Sequence, residues 1–317
     1  MLVRPAQREY RTFTQDSRYW AGYRPRASDV VIATAPKCGT TWTQQIVCSL
    51  VFQDPAPRSL PLVSPWVEAR FRSTAEQTRA QLEGQTHRRF LKTHLPIDGL
   101  PLHDEVKYIH VARDGRDAVL SMHNHFSGFS DAQLELFDRI GREDPAIGRP
   151  YPRPPADAMS FFRDWIGQPV EPEQSPPGSN PSFFWTTRSY WSERTRPNLL
   201  LVHYGDLSAD LDGEMRRIAE FLEIEVEEAV WPSLVRAAGF EAMKAAGDEL
   251  MPQARSMFPE GARRFFHKGE SGRWKSLFTD EDLAAYETKA KTELTPGLIA
   301  WLQAGRRGPG DPRTALE

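Results

Sequence analysis

Cysteine is nearly absent: the 317 residues contain two, Cys38 and Cys48. Two thiols cannot build a disulfide framework, and both fall where a loop reads as running into a helix, so a reducing compartment fits. Long apolar runs are missing too. No stretch approaches the roughly 20 residues that a membrane span needs. The first residues, with Arg4, Arg8, Glu9 and Arg11 and no apolar run behind them, do not read as a signal peptide. Nor is one sign of charge in excess: 40 basic and 43 acidic residues give a formal net charge of −3, without the global basic surplus of a nucleic-acid binder. These absences predict a cytoplasmic protein with no membrane span and no nucleic-acid partner. Any nucleotide site must be a local concentration of positive charge.

Four short apolar runs read as strands, at 29–35, 89–92, 106–112 and 198–203. Val30-Val31-Ile32 and Leu199-Leu200-Leu201-Val202 lack the alternation of a half-exposed strand, so both faces of the sheet are expected to be covered. After the first run Trp42, Ile46, Val47, Leu50 and Val51 recur at helical spacing; after the third, Val119, Leu120 and Met122 follow Asp114 and Asp117, acidic residues that suit a helix start. Strands alternating with helices predict one α/β domain over residues 1–305, its central parallel sheet flanked by helices. Residues 127–182 break the rhythm with Pro150, Pro152, Pro154, Pro155, Pro172, Pro176, Pro177 and Pro181, around a short apolar stretch at 159–166. Such an excursion reads as a lid or a linker. Residues 306–317 read as a solvated tail.

Three segments carry chemistry. Ala35-Pro36-Lys37-Cys38-Gly39-Thr40-Thr41-Trp42 follows the first strand directly and opens a helix. Backbone N–H groups at a helix start make an anion site; Lys37 adds charge, Thr40 and Thr41 add hydroxyls, and Trp42 offers a face to a purine. Lys precedes the only Gly, so this is not the Gly-Lys-Ser/Thr loop that pairs a nucleotide with Mg²⁺. A plain strand-to-helix turn is the alternative. Lys92 and His94, two residues apart, share one face of an extended strand that Pro96 ends, at the sheet edge where open α/β folds hold ligands; a lone His there is otherwise a structural residue. Arg113 at the third strand's end and Ser121 in the next helix can converge on one anion, fork and hydroxyl together. Alternatively Arg113 and Asp117 form a surface pair. His123 and His125 lack the further clustered ligands of a metal site, and the Gly-spaced basic stretch 267–275 taken alone is a mobile turn.

In this order the segments resemble cytosolic-type sulfotransferases that use 3′-phosphoadenylyl sulfate (PAPS). The resemblance runs over about residues 25–280 and implies a P-loop-like phosphate-binding loop, related to the nucleoside-triphosphate-hydrolase fold. Lys37, Cys38, Gly39, Thr40, Thr41 and Trp42 would then be the 5′-phosphosulfate loop, with Cys38 where Ser is common. Phe90-Leu91-Lys92-Thr93-His94-Leu95-Pro96 is similar to the family's Lys-x-His-Leu-Pro element. It implies His94 as general base, with Lys92 and Lys37 stabilising the departing phosphate. Arg113 and Ser121 would bind the 3′-phosphate, closed over by His267, Lys268 and Gly269. His267 stands where the family has Arg, which leaves Arg263 or Arg264 to compensate. Tyr204 would contact adenine, and Phe240 would stack opposite Trp42.

The implied reaction moves a sulfuryl group from PAPS to the hydroxyl of a small, partly hydrophobic acceptor. It releases 3′,5′-adenosine bisphosphate and requires no metal. The acceptor would enter beside His94, beneath residues 127–182 and 248–270, with Phe126, Phe129, Phe161 and Phe183 as candidate lining. The family's short dimer element would fall at 275–284. It keeps Thr279 but has Asp280 in place of Val and Ala284 in place of Glu, so monomer and homodimer both stay open. Two rival functions are a Mg²⁺-dependent kinase or other P-loop NTPase, and a non-catalytic sensor of the nucleotide, which would need neither Lys92 nor His94.

Overall fold

Residues 1–315 are described by a computed structural model. Its strands are β1 (Leu2–Arg4), β2 (Val30–Thr34), β3 (Phe90–Thr93), β4 (Leu102–His103), β5 (Lys107–Ala112) and β6 (Leu199–His203). The main sheet has the order β3-β2-β5-β6, with every pair parallel, while β1 and β4 form a separate antiparallel pair. The four strand expectations thus hold to within about one residue at each end, the accuracy that assignment of strand ends allows.

Continuous apolar runs form these strands because both faces are covered. All five residues of β2 are buried. Val31 and Ala33 feed one core, and Val30 and Ile32 feed the other, the alternation that a pleated strand imposes. Helix α1 (Thr40–Phe52) lays Ile46, Val47 and Leu50 on the second face; α2 (Gly115–Phe126) lays Ala118, Val119 and Met122 on the first. From β2 the chain moves outward to β3, returns past β2 to β5, and continues to β6 on the far side. The connections part between β2 and β5. A crevice opens beyond the carboxyl ends of strands at such a switch point.

The proline-rich excursion is neither a linker nor structureless. It carries helices α3 (Asp131–Glu143), capped by the Ser130 hydroxyl, and α4 (Ala158–Gly167), capped by the Asp157 carboxylate. Phe137 of α3 and Phe162 of α4 are fully buried, and the prolines fall between the helices. The tail expected to be solvated is docked as far as it is described. Arg194 donates to the carbonyls of Pro312 (3.1 Å) and Ala315 (3.2 Å), Arg313 donates to Leu199 O (3.2 Å), and Pro312 is buried. Residues 316 and 317 lie outside the described residues.

At the opposite end of the sheet from the crevice, a buried ion pair clamps the starts of β2 and β3. Arg89 Nε and Nη2 donate to the Asp29 carboxylate at 2.8 and 2.5 Å, and both side chains are sealed from solvent. The Tyr23 hydroxyl (2.6 Å) and the Arg26 N–H (3.0 Å) complete the carboxylate's donors, while Arg24 O accepts from Arg89 at 2.7 Å. Removing one member strands the other's charge in the core, which costs about 3–5 kcal/mol. Asp29→Ala is therefore expected to lower the urea-unfolding free energy by that order, and Asp29→Ala/Arg89→Met to regain part of it. Equal losses in the single and double variants would show that the pairing is not what matters.

Candidate functional site

The loop after β2 leaves the sheet at the switch point. Its shape depends on two residues with positive φ, Lys37 (+67°) and Gly39 (+112°). Glycine tolerates this region freely, whereas lysine does so at a cost of order 1 kcal/mol, a strain that gathers at functional sites. A Cβ on Gly39 would meet the Tyr204 ring at 3.1 Å and Val111 at 3.4 Å, so the backbone itself lies against β5 and β6. Gly39 caps α1 without a side chain, which leaves the first-turn N–H groups of the helix to the cavity. Lys37 and Lys92 lie half-buried at this cavity, and neither has a carboxylate partner among the described residues. Burial and the Arg113 charge lower the Lys37 ammonium to about 8. Burial, with Arg72 and Lys37 nearby, lowers Lys92 to about 7, partly offset by Glu68.

His94 sits one residue past β3, pinned on three sides. Its Nδ1 lies 2.8 Å from the Thr34 carbonyl, which can only accept, so Nδ1 carries the proton and Nε2 is the basic nitrogen. Its main-chain N–H donates to Glu68 Oε1 at 2.8 Å, and the Trp66 ring meets the imidazole edge-on at 4.9 Å. Burial and the Lys92 charge hold its pKa well below the usual histidine value, so the ring is neutral at neutral pH. Glu68 is the hub of this corner. It accepts from the indoles of Trp20 (2.9 Å) and Trp66 (2.6 Å) and from the Thr93 hydroxyl (3.0 Å) as well as from His94. Lys92 in turn rests over the Trp66 ring at 4.3 Å.

Arg113 follows β5 and is almost fully buried. One guanidinium nitrogen donates to Glu270 O (2.6 Å) and the group lies 4.2 Å from the Tyr204 ring, but Nε has no hydrogen-bond partner. An orphaned buried donor at a cavity marks the place of an absent acceptor. Asp114 caps α2 and pairs with Arg116 at 2.6 Å, so Arg113 and Asp117 are not the surface pair that the sequence allowed. Asp117 reaches instead across to the C-terminal loop, accepting the N–H groups of Gly272 (2.8 Å) and Arg273 (3.2 Å). The Tyr204 hydroxyl donates to Gly269 O (3.2 Å), and a Cβ on Gly269 would strike Phe240 at 2.7 Å. Residues 267–273 are therefore tethered over the crevice rather than a mobile turn. Trp42 meets Tyr204 edge-on at 5.1 Å and donates its indole N–H to Ala238 O (2.8 Å).

One cavity of about 230 Å³ is lined by Lys37, Gly39, Thr40, Thr41, Trp42, Lys92, His94, Arg113, Ser121, Tyr204, Phe240, His267, Lys268 and Gly269. Among the donor-site residues singled out from sequence, Cys38 does not line the cavity. Its side chain turns into the core, where burial pushes the thiol up to about 12, so only its main chain is left to face a ligand. Burial and the neighbouring Arg273 and Lys268 depress His267 further, and neither suggested substitute stands in for it. Arg263 lines a different depression, and Arg264 binds Asn124 O (3.1 Å) and Ser127. Arg273, which sequence reasoning passed over, lines the cavity.

The rest of the cavity wall is aromatic. Phe126 and Phe129 take part as expected, but Phe161 and Phe183 do not: Phe183 is core and Phe161 packs against it. Phe71, Phe137, Tyr151 and Phe265 stand there instead. His123 and His125 diverge, His123 to Pro155 O (3.0 Å) and His125 toward Lys37 Nζ (3.5 Å). Thr279, the surviving residue of the dimer element, caps the helix Asp280–Glu293 in a capping box with Asp282.

The chain is similar to known proteins. The family model described as "Sulfotransferase domain" matches residues 27–295. The "Glycolipid sulfotransferase" of Mycobacterium bovis (strain BCG / Pasteur 1173P2) is 34% identical over 94% of this chain and 95% of its own length. Among solved structures, retinol dehydratase in complex with androsterone and inactive cofactor PAP superposes with a TM-score of 0.67, at 22% identity over 89% of this chain and 87% of that one. A mouse sulfotransferase complexed with PAP gives 0.66, at 18% identity over 90% and 92%. The two solved structures share the fold, and the family model covers most of the chain: the chain belongs to the sulfotransferase family.

Proposed function

We propose that the protein transfers the sulfuryl group of PAPS to a hydroxyl on an amphiphilic small molecule, in a reducing, cytoplasmic setting. The observation that carries this reading is a neutral histidine with a free basic nitrogen, set beside two ammonium groups that have no carboxylate partner among the described residues. The cavity lining offers groups suited to the nucleotide. The orphaned Arg113 Nε, with Ser121, Lys268 and Arg273 on the same wall, suits a 3′-phosphate. Trp42 and Phe240 supply faces for adenine, and the uncapped start of α1 supplies N–H donors to the phosphosulfate. His94 Nε2 takes the proton of the acceptor hydroxyl as its oxygen bonds to sulfur. Lys37 and Lys92 stabilise the charge left on the phosphate oxygen when its bond to sulfur breaks. Positioning and charge neutralisation of this kind are the main protein contributions in the related phosphoryl transfers. The aromatic wall suits an apolar acceptor body, in line with a relative named for glycolipids and a structural neighbour holding androsterone.

3′,5′-Adenosine bisphosphate at a hundredfold excess over its Kd should stabilise the protein by about 2.7 kcal/mol, a thermal shift of roughly 5 °C for a chain of this size. ATP with Mg²⁺ should give none. A shift with ATP and Mg²⁺ alone would replace the transferase by a kinase. In His94→Ala, transfer should drop by about 10²–10⁴-fold while the bisphosphate shift persists; full activity in that variant would remove His94 from the chemistry.

The lysines set a pH dependence. In the free protein Lys92 near 7 and Lys37 near 8 lose their protons as the pH rises from 7 to 9. An anion favours the ammonium forms, so bisphosphate binding should take up protons at pH 8 and weaken toward pH 9. Calorimetry in buffers of different ionisation enthalpy reads this uptake directly, and Lys92→Met should reduce it. Uptake of no protons would mean that the lysines are already charged without ligand.

A further inference from the structure

The donor scheme leaves one guanidinium of the cavity without a role. Arg72 follows Phe71 in the loop after Trp66, a segment held to the sheet by Lys92 N–H donating to Pro65 O (2.9 Å) and Val67 N–H to Lys92 O (3.2 Å). Its neighbour Arg70 is satisfied by Asp144 (2.5 Å) and Thr12 O (3.2 Å). Arg72 is not. Its cationic head lies 5.0 Å from the Phe71 ring, and Nη2 points at Met257 Sδ (3.3 Å), a weak acceptor. No carboxylate pairs with it among the described residues. Protein atoms crowd the guanidinium enough to lower it to about 10, yet it stays accessible to solvent and lines the same cavity as Lys92 and His94.

Its surroundings place it on the acceptor side. Phe71 meets Phe137 at 5.4 Å, Phe137 meets Phe129 at 5.5 Å, and these rings form the aromatic wall. Of the donor-side cations, Arg113 stands against Tyr204, while Lys37 lies toward His125 and 5.0 Å from the Phe265 ring of this wall. A solvent-accessible guanidinium beside a ring and a thioether, with no carboxylate on its fork, is open to an oxyanion. The planar fork matches carboxylate or phosphate two-pronged, which a neutral hydroxyl cannot do.

We propose that Arg72 binds the acceptor and selects hydroxyl compounds that carry an oxyanion, a carboxylate or a phosphate ester, on an otherwise apolar body. The inference rests on the reading of His94 as the acceptor-side base. The acceptor's acidic group then anchors at Arg72 while its hydroxyl meets His94, and the aromatic wall holds the carbon skeleton between them.

The test measures acceptor binding to the protein saturated with 3′,5′-adenosine bisphosphate, by calorimetry, so that it does not depend on turnover. Three matched probes serve: a p-hydroxyphenyl alkanoate, its methyl ester, and the corresponding phosphate monoester. The two anions should bind at least about tenfold more tightly than the ester, the scale of one charge-assisted hydrogen bond. Arg72→Gln should erase this preference, and Arg72→Lys should restore part of it. A preference for only one anion would identify which of the two groups the natural acceptor carries. Equal binding of ester and anions to the unaltered protein overturns the proposal. So does loss of the bisphosphate thermal shift in Arg72→Gln, which would assign the guanidinium to the donor. Absence of sulfuryl transfer alongside an Arg72-dependent anion preference would instead sink the proposed reaction and leave the anion site standing.

Discussion

Parallel pairing of β2 with β3 on one side and β5 on the other is the constraint from which the site follows. It brings the carboxyl ends of three strands to one edge, and each end releases a different chemical group: the Lys37 loop after β2, Lys92 and His94 at the end of β3, Arg113 after β5. Because the connections part between β2 and β5, no crossover covers that edge. The hydrogen bond from His94 Nδ1 to Thr34 O ties the tip of one strand to its neighbour, and so fixes the tautomer through the same register that builds the core.

Around this edge the cations are left without carboxylate ion pairs among the described residues. Lys37, Lys92, Arg72 and Arg113 line one cavity without a carboxylate salt bridge among the described residues, while surface arginines such as Arg216 and Arg153 are paired. Of the carboxylates near the cavity, Glu68 takes four donors from the framework and Asp117 takes main-chain N–H groups of the C-terminal loop, while Glu270 lines the cavity itself. Concentrated positive charge in a half-buried space is unstable by itself, and the lowered lysine pKa values record that tension.

The sheet, the phosphate loop and the strand bearing His94 were legible because local patterning dictates them: apolar runs, a Gly at a strand-to-helix turn, and two polar residues at strand spacing. What lay hidden depends on contacts across long sequence separations. Glu68 has no local signature, since three of its four donors come from Trp20, Thr93 and His94. Arg72 reads as one of several surface arginines until Asp144 is seen to take Arg70. Phe183 and Phe137 are equally apolar in sequence, and only the packing of α3 and of the helix Phe183–Trp191 decides which is core and which is wall. The docked tail escaped notice because Arg194 and Arg313 hold it by main-chain carbonyls, whose accessibility no sequence shows.

The two walls of the cavity differ in origin. Lys37, Lys92, His94 and Arg113 stand at strand ends whose register also holds the core, whereas Phe71, Arg72, Phe129 and Tyr151 of the other wall sit on connections between regular elements, beside Phe126 and Phe137 on helices. A substitution at the strand ends disturbs the sheet as well as the chemistry; one at the exposed Arg72 changes charge with little cost to folding. The molecule is thus modular in an evolutionary sense: descendants can diversify what they modify while inheriting the group-delivery apparatus unchanged.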